Sequence, residues 1–219
     1  MVRPSLLGEV YDAVTACVRD LDEEGLTAPT RTDWTVAELL LHLLLDAQRS
    51  LVALATPADR PPDTDAVSYW LDWNPGTGDG GAAHARFVRA AAAAYSSPRV
   101  IVAQWTETAV AAGHAARTAP PDDVVVTQGH RLTVPDLLST LVVEGVVHQL
   151  DLTVHVPGPP VPPAALAEVR RVLDGLLGDA VAADWDDAAY ALKGTGRLPL
   201  TDGERVALGE QADRFPLLG

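Results

Sequence analysis

Apolar residues recur along most of this chain with the helical period of 3.6. Leu6, Leu7, Val10, Val14, Cys17, Val18 and Leu21 predict a first helix over 5–24, with Gly25 at its C′ position. Residues 28–34 read as a loop. Thr35-Val-Ala-Glu38 has the capping-box pattern and starts a second helix, Val36 to about Ala55, which contains Leu39-Leu-Leu-His-Leu-Leu-Leu45. Residues 56–81 are rich in Pro, Gly and Asp and read as a long loop. Tyr69-Trp-Leu-Asp-Trp73 inside it serves either as a lid over a pocket or as a pin on the bundle. Ala82 to about Tyr95 is helical, and Ser97-Pro98 supplies an N-cap and an N1 proline for a helix to about Ala116. A single kinked helix is the alternative for that stretch.

Val124 to Leu132 is extended around a Gln128-Gly129 turn signal, as a small hairpin or one extended leg. Thr133 caps the next helix, which tolerates Pro135 in its first turn and ends before Pro157-Gly-Pro-Pro160. Pro162-Pro163 opens a further helix to about Ala183. Ala188–Gly194 predicts a short strand, Asp202–Ala212 a short helix, and Phe215-Pro-Leu-Leu218 a plug docked on the body. The expected fold is mainly all-α: a four-helix bundle over 1–156, then a C-terminal extension over 157–219, with at most a short β element.

Polar residues interrupt two of the apolar runs. Glu144, His148 and Asp151 stand at i, i+4 and i+7 and share one helix face. Glu38, His42, Asp46 and Arg49 form a similar stripe through the Leu-rich helix. Charged groups are rarely buried unless paired or coordinated. From spacing alone, Glu144 and His148 are either two ligands of a metal completed by His42, or a buried carboxylate–imidazole hydrogen bond. Asp46 and Asp151 sit about one turn beyond a histidine, where each can accept a hydrogen bond from the ring nitrogen that does not ligate. His155 is a further candidate for the pocket wall. His84 and His114 read as exposed, and Cys17 as a core thiol on the first helix's apolar face.

The composition narrows the partners. There are 30 acidic against 16 basic residues, a net charge of -14, which lacks the basic footprint needed for nucleic acid or an anionic membrane surface. Lys193 is the single lysine, and with the abundant Ala, Val, Gly and Pro this suggests a high-GC genome. One cysteine excludes an intrachain disulfide and fits a cytoplasmic protein. The N-terminus lacks the apolar core of a signal peptide. No apolar run reaches the ~18 residues of a membrane span.

Two segments carry a resemblance. Trp34-Thr-Val-Ala-Glu-Leu-Leu-Leu-His42 and Glu144-Gly-Val-Val-His-Gln-Leu-Asp-Leu152 resemble the signature segments of the mycothiol-dependent maleylpyruvate isomerase metal-binding domain, a family similar to DinB-like helical bundles. The likeness covers about residues 5–156. It implies that His42, Glu144 and His148 bind a divalent metal, taken as zinc, and that mycothiol is the thiol cosubstrate. The metal-held thiolate would attack a small electrophilic metabolite in an isomerase or S-transferase reaction. The known isomerase has a C-terminal domain that contributes to its active site. Here the tail, with Gly194–Leu200 and Asp213–Leu218, resembles uncharacterised actinobacterial relatives and matches no pattern that carries over residue by residue. Maleylpyruvate itself is therefore not implied. Arg197 and Arg214 are candidate anion ligands or, more simply, solvent salt bridges. Two other classes fit the same residues: a non-catalytic bundle that binds a metal or small ligand, and a metal-dependent hydrolase with Asp46, Asp151 or His155 as base.

Overall fold

The structure, a computed structural model, describes residues 2–71 and 80–218. Helix α1 is Ser5–Val18, α2 Glu23–Thr27, α3 Val36–Leu54, α4 Gly80–Ala93 and α5 Pro98–Thr118. A hairpin of β1 (Val124–Thr127) and β2 (His130–Thr133) leads into α6, Val134–Leu152. Then follow α7 (Pro163–Leu177), α8 (Asp187–Gly194) and α9 (Asp202–Leu208). The fold is mainly all-α, as the periodicity predicts. None of the described helices is long and apolar enough to cross a membrane.

Four helices form a ring in which α1 packs on α5, α5 on α3, α3 on α6 and α6 on α1. Each pair needs close approach. At Gly145 of α6 an added Cβ would lie 2.5 Å from Val10 Cγ1, so only glycine lets α1 and α6 meet there. Between α1 and α5, Tyr11 packs edge-on against Trp105 at 5.1 Å, and Trp105 Nε1 donates to Thr15 Oγ1 at 2.9 Å. The two site-bearing helices start where the sequence marks them. Thr35 and Glu38 form the full capping box of α3, and Thr133 accepts from the Asp136 amide to cap α6.

The hairpin turn has Gln128 at φ 49° and Gly129 at φ 87°, the left-handed pair that a tight two-residue turn needs. The chain before it is pinned rather than loose. Ala58 N donates to Val124 O at 2.7 Å, and the Asp63 carboxylate accepts from the Arg131 amide at 2.8 Å. Trp70 is buried, and Tyr69 packs edge-on against it at 5.1 Å. Trp73, the other end of the aromatic segment, lies outside the described residues.

Several boundaries differ from expectation. The first helix stops at Val18; Asp22 accepts from Gly25 N at 2.9 Å and starts α2, so Gly25 lies inside a helix instead of after one. Residues 80–118 make two helices, α4 and α5, and the Ser97 hydroxyl makes no capping bond. Helix α7 ends at Leu177 because Gly178 turns left-handed at φ 81°. Arg214 then caps it, donating to the carbonyls of Leu176 and Leu177. The strand expected at 188–194 is α8, capped by Asp186 through the Ala189 amide at 2.7 Å. A helix there satisfies its own backbone and buries Tyr190 and Ala191.

The apolar core runs continuously from Val2 through Val169, Val172 and Leu173 of α7 to Leu218. Leu217 N and Leu218 N both donate to Gly194 O, at 2.8 and 3.0 Å, which docks the C-terminal tail.

A candidate metal centre in the bundle

Helix α3 brings His42 and Asp46 to face Glu144, His148 and Asp151 of α6. The Nε2 atoms of both histidines converge on one carboxylate oxygen. His148 Nε2 lies 3.1 Å and His42 Nε2 3.7 Å from Glu144 Oε2. The two imidazoles stand nearly perpendicular, 87° apart with centroids at 4.8 Å. One donor atom from each of His42, Glu144 and His148 lies within 4.8 Å of the others. Two imidazole nitrogens and a carboxylate oxygen facing one point suit a divalent cation such as zinc and leave coordination positions open.

The surroundings hold these side chains in place. His148 Nδ1 is 3.1 Å from Asp151 Oδ2, so both of its nitrogens face carboxylates. Burial by itself would lower the His148 pKa, but hydrogen bonds to Asp151 and Glu144 raise it to about 9. Burial would raise Glu144, yet the two histidines hold it well below the usual carboxylate range. Asp151 is fully buried. Burial would raise it as well, but His148 and Arg197 hold it low. Asp46 differs: burial, reinforced by the Glu144 charge, pushes it up to about 6 against the pull of His42.

Five residues depart from their expected places. Asp46 Oδ2 sits 3.5 Å from His42 Nε2, the same nitrogen that faces Glu144, and not on the opposite ring nitrogen. That opposite nitrogen, Nδ1, meets His84 Nε2 at 3.2 Å. His84 is thus half-buried on α4 and not exposed. Alanine dominates α4, and nothing in its pattern marks His84; only the packing of α4 on α3 brings it here. Arg197 is no solvent salt bridge. It reaches in from the C-terminal extension to place Nη2 3.4 Å from Asp151 Oδ2. Arg214 caps α7 instead of facing the site. His155 and His114 are exposed and stand outside the pocket wall, and Cys17 is a buried thiol whose pKa burial raises to about 11.

The cluster opens into a cavity of about 620 Å³. Trp34, Tyr69, Trp70 and Leu141 give it apolar walls, the hairpin turn contributes Thr127 and Gln128, and Arg49, Arg86, Arg89 and Arg197 add positive charge. A concave site with apolar walls and convergent polar and charged groups suits a small molecule.

A model of the mycothiol maleylpyruvate isomerase N-terminal domain family matches residues 7–153, more than half of the chain. The chain belongs to this family. Its three candidate ligands and both helices that carry them lie within the matched span. This mycothiol-isomerase-type domain is metal-binding and mycothiol-related as a family, and in the present member the His42–Glu144–His148 cluster fits a metal. No curated protein and no solved structure matches the chain.

Proposed function

We propose that this family member is a metal-dependent enzyme that uses mycothiol, a low-molecular-weight thiol, to act on a small electrophilic metabolite as an isomerase or S-transferase. The observation that carries this reading is the convergence of His42, Glu144 and His148, with donor atoms within 4.8 Å of one another, at a cavity large enough for a thiol and a small substrate. His42 Nε2, Glu144 and His148 Nε2 would hold the cation, with zinc the expected metal. When bound, the metal lowers the pKa of a coordinated thiol and holds it as a nucleophile.

The chain's own groups supply the rest. Asp151 accepts from His148 Nδ1 and so presents Nε2 to the site. Asp46, with a pKa of about 6, is ionised at neutral pH and stands beside His42 Nε2, where it can take the thiol proton. Trp34, Tyr69 and Trp70 wall the cavity beside these groups.

Metal analysis of untagged protein tests the site. Close to one equivalent of zinc is expected in wild type, with loss in His148→Ala; metal-free wild type that also fails to take up added zinc would sink the reading. Cobalt-substituted protein tests the chemistry. Mycothiol should shift its visible spectrum, as a thiolate entering the coordination sphere does. A spectrum unmoved by millimolar mycothiol points instead to the hydrolase or to a binding protein.

A further inference from the structure

The two histidines of the cluster are backed by different partners. The Nδ1 of His148 meets a carboxylate, Asp151, at 3.1 Å. The Nδ1 of His42 meets a third imidazole, His84 Nε2, at 3.2 Å. Those two rings meet edge-on, 5.2 Å apart at 78°, and Trp34 lies against both, 5.2 Å from His42 and 6.1 Å from His84. His84 is not part of the three-residue ligand group, and it approaches His42 from the nitrogen opposite the one that faces Glu144.

A neutral imidazole carries one N–H donor and one acceptor nitrogen. For His42 Nε2 to offer its lone pair to a cation, the ring proton must sit on Nδ1. A buried Nδ1–H needs an acceptor, normally a carboxylate, a carbonyl or a water. Here the acceptor within reach is His84 Nε2, which leaves the His84 proton on its own Nδ1. We infer that His84 is a positioning residue of the metal centre: it fixes the tautomer and tilt of His42 by accepting its Nδ1–H. The inference rests on the metal reading above. A neutral acceptor on one ligand and an anionic one on the other means that His42 is oriented without adding charge to a site already holding Glu144, Asp46 and Asp151. It also ties the ligand geometry to α4, the helix that contributes Arg86 and Arg89 to the cavity wall.

The test uses untagged full-length protein and two substitutions. His84→Phe keeps a flat ring against Trp34 but removes the acceptor, and His84→Gln restores an acceptor oxygen. Zinc dissociation constants come from competition with a chromophoric chelator. Loss of one such partner typically weakens metal binding about 10–100-fold. That loss is expected in His84→Phe, with most of the affinity recovered in His84→Gln and apo melting temperatures close to wild type. Wild-type affinity in His84→Phe overturns the inference alone, whereas a wild type that binds no zinc overturns the metal reading and the inference together. Equal losses in both variants, with an altered cobalt spectrum, would make His84 a ligand instead and overturn the positioning role. Should His84→Phe fail to fold, nitrogen NMR on zinc-loaded wild type decides: a scalar coupling from His42 Nδ1 across the hydrogen bond to His84 Nε2 is expected, and its absence overturns the inference.

Discussion

His148 is held between Glu144 and Asp151, and this would set how a metal enters the proposed site. With both ring nitrogens facing carboxylates and a pKa of about 9, the metal-free side chain is an imidazolium at neutral pH. The proton on Nε2 occupies the direction that a cation needs. Metal uptake must therefore release it, and affinity should fall by about tenfold per pH unit per displaced proton below pH 9. The sign is fixed: acid favours the imidazolium and expels the metal. Calorimetry of zinc binding at pH 7 in two buffers of different ionisation enthalpy should register release of at least one proton. Zinc affinity that stays constant from pH 6 to 9, with no proton released, would contradict this account. The residues in this arrangement were legible from their spacing, because Glu144, His148 and Asp151 must share a face once the run is helical. The partner of each ring nitrogen was not. Asp46 and Asp151 each follow a histidine by about one turn, at i+4 and i+3, yet one faces Nε2 of its histidine and the other Nδ1.

At the scale of elements, the site depends on how closely α6 lies against α1 and on where α3 begins. Gly145 follows Glu144 directly and admits Val10 where a Cβ would stand 2.5 Å away. Gly145→Ala should force α6 outward and cost about 1–3 kcal/mol. Thermal melting should show the loss, and zinc affinity should fall with it because Glu144 moves too. An unchanged melting temperature would mean that the contact relaxes freely. At the head of α3, Thr35→Ala removes the reciprocal bonds with Glu38 and should cost about 0.5–2 kcal/mol. Here zinc affinity should hold, since His42 lies two turns further on, and a large loss of metal would show that the cap positions the ligand. Both start signals, and the turn at Gln128-Gly129, are local chemistry and could be read directly. The segment 188–194 differs from its expected strand because a short Ala- and Leu-containing stretch has no decisive period. Its cap at Asp186 and its burial against α7 make it a helix.

At the scale of the whole molecule, the segment after residue 156 is joined to the site. Helix α7 places Val169, Val172 and Leu173 in the same apolar core as α1 and α6. Ser139 of α6 donates to Glu168, which also pairs with Arg171 at 2.6 Å. Arg197 then reaches back to Asp151. We expect residues 157–219 to act as a layer of the fold that cannot be removed. A chain ending at Val156 should aggregate or melt far below the full-length protein, because it exposes the α6 face that α7 covers. A truncated chain that melts within a few degrees of the full one would make 1–156 an independent domain.

The sequence by itself determined the helical class, the caps of α3 and α6, the turn signal at Gln128-Gly129 and the shared face of Glu144, His148 and Asp151, because each depends on periodicity or on neighbours a few residues away; His42 joined them as a candidate ligand through the family resemblance. Tertiary packing alone decided that His84 backs His42, that Arg197 is turned inward to Asp151, and that Asp46 shares a nitrogen with Glu144. Those contacts join elements 42 and 46 residues apart, or turn on which side of one ring a carboxylate falls. No local pattern encodes either, since both follow from how whole helices settle against one another.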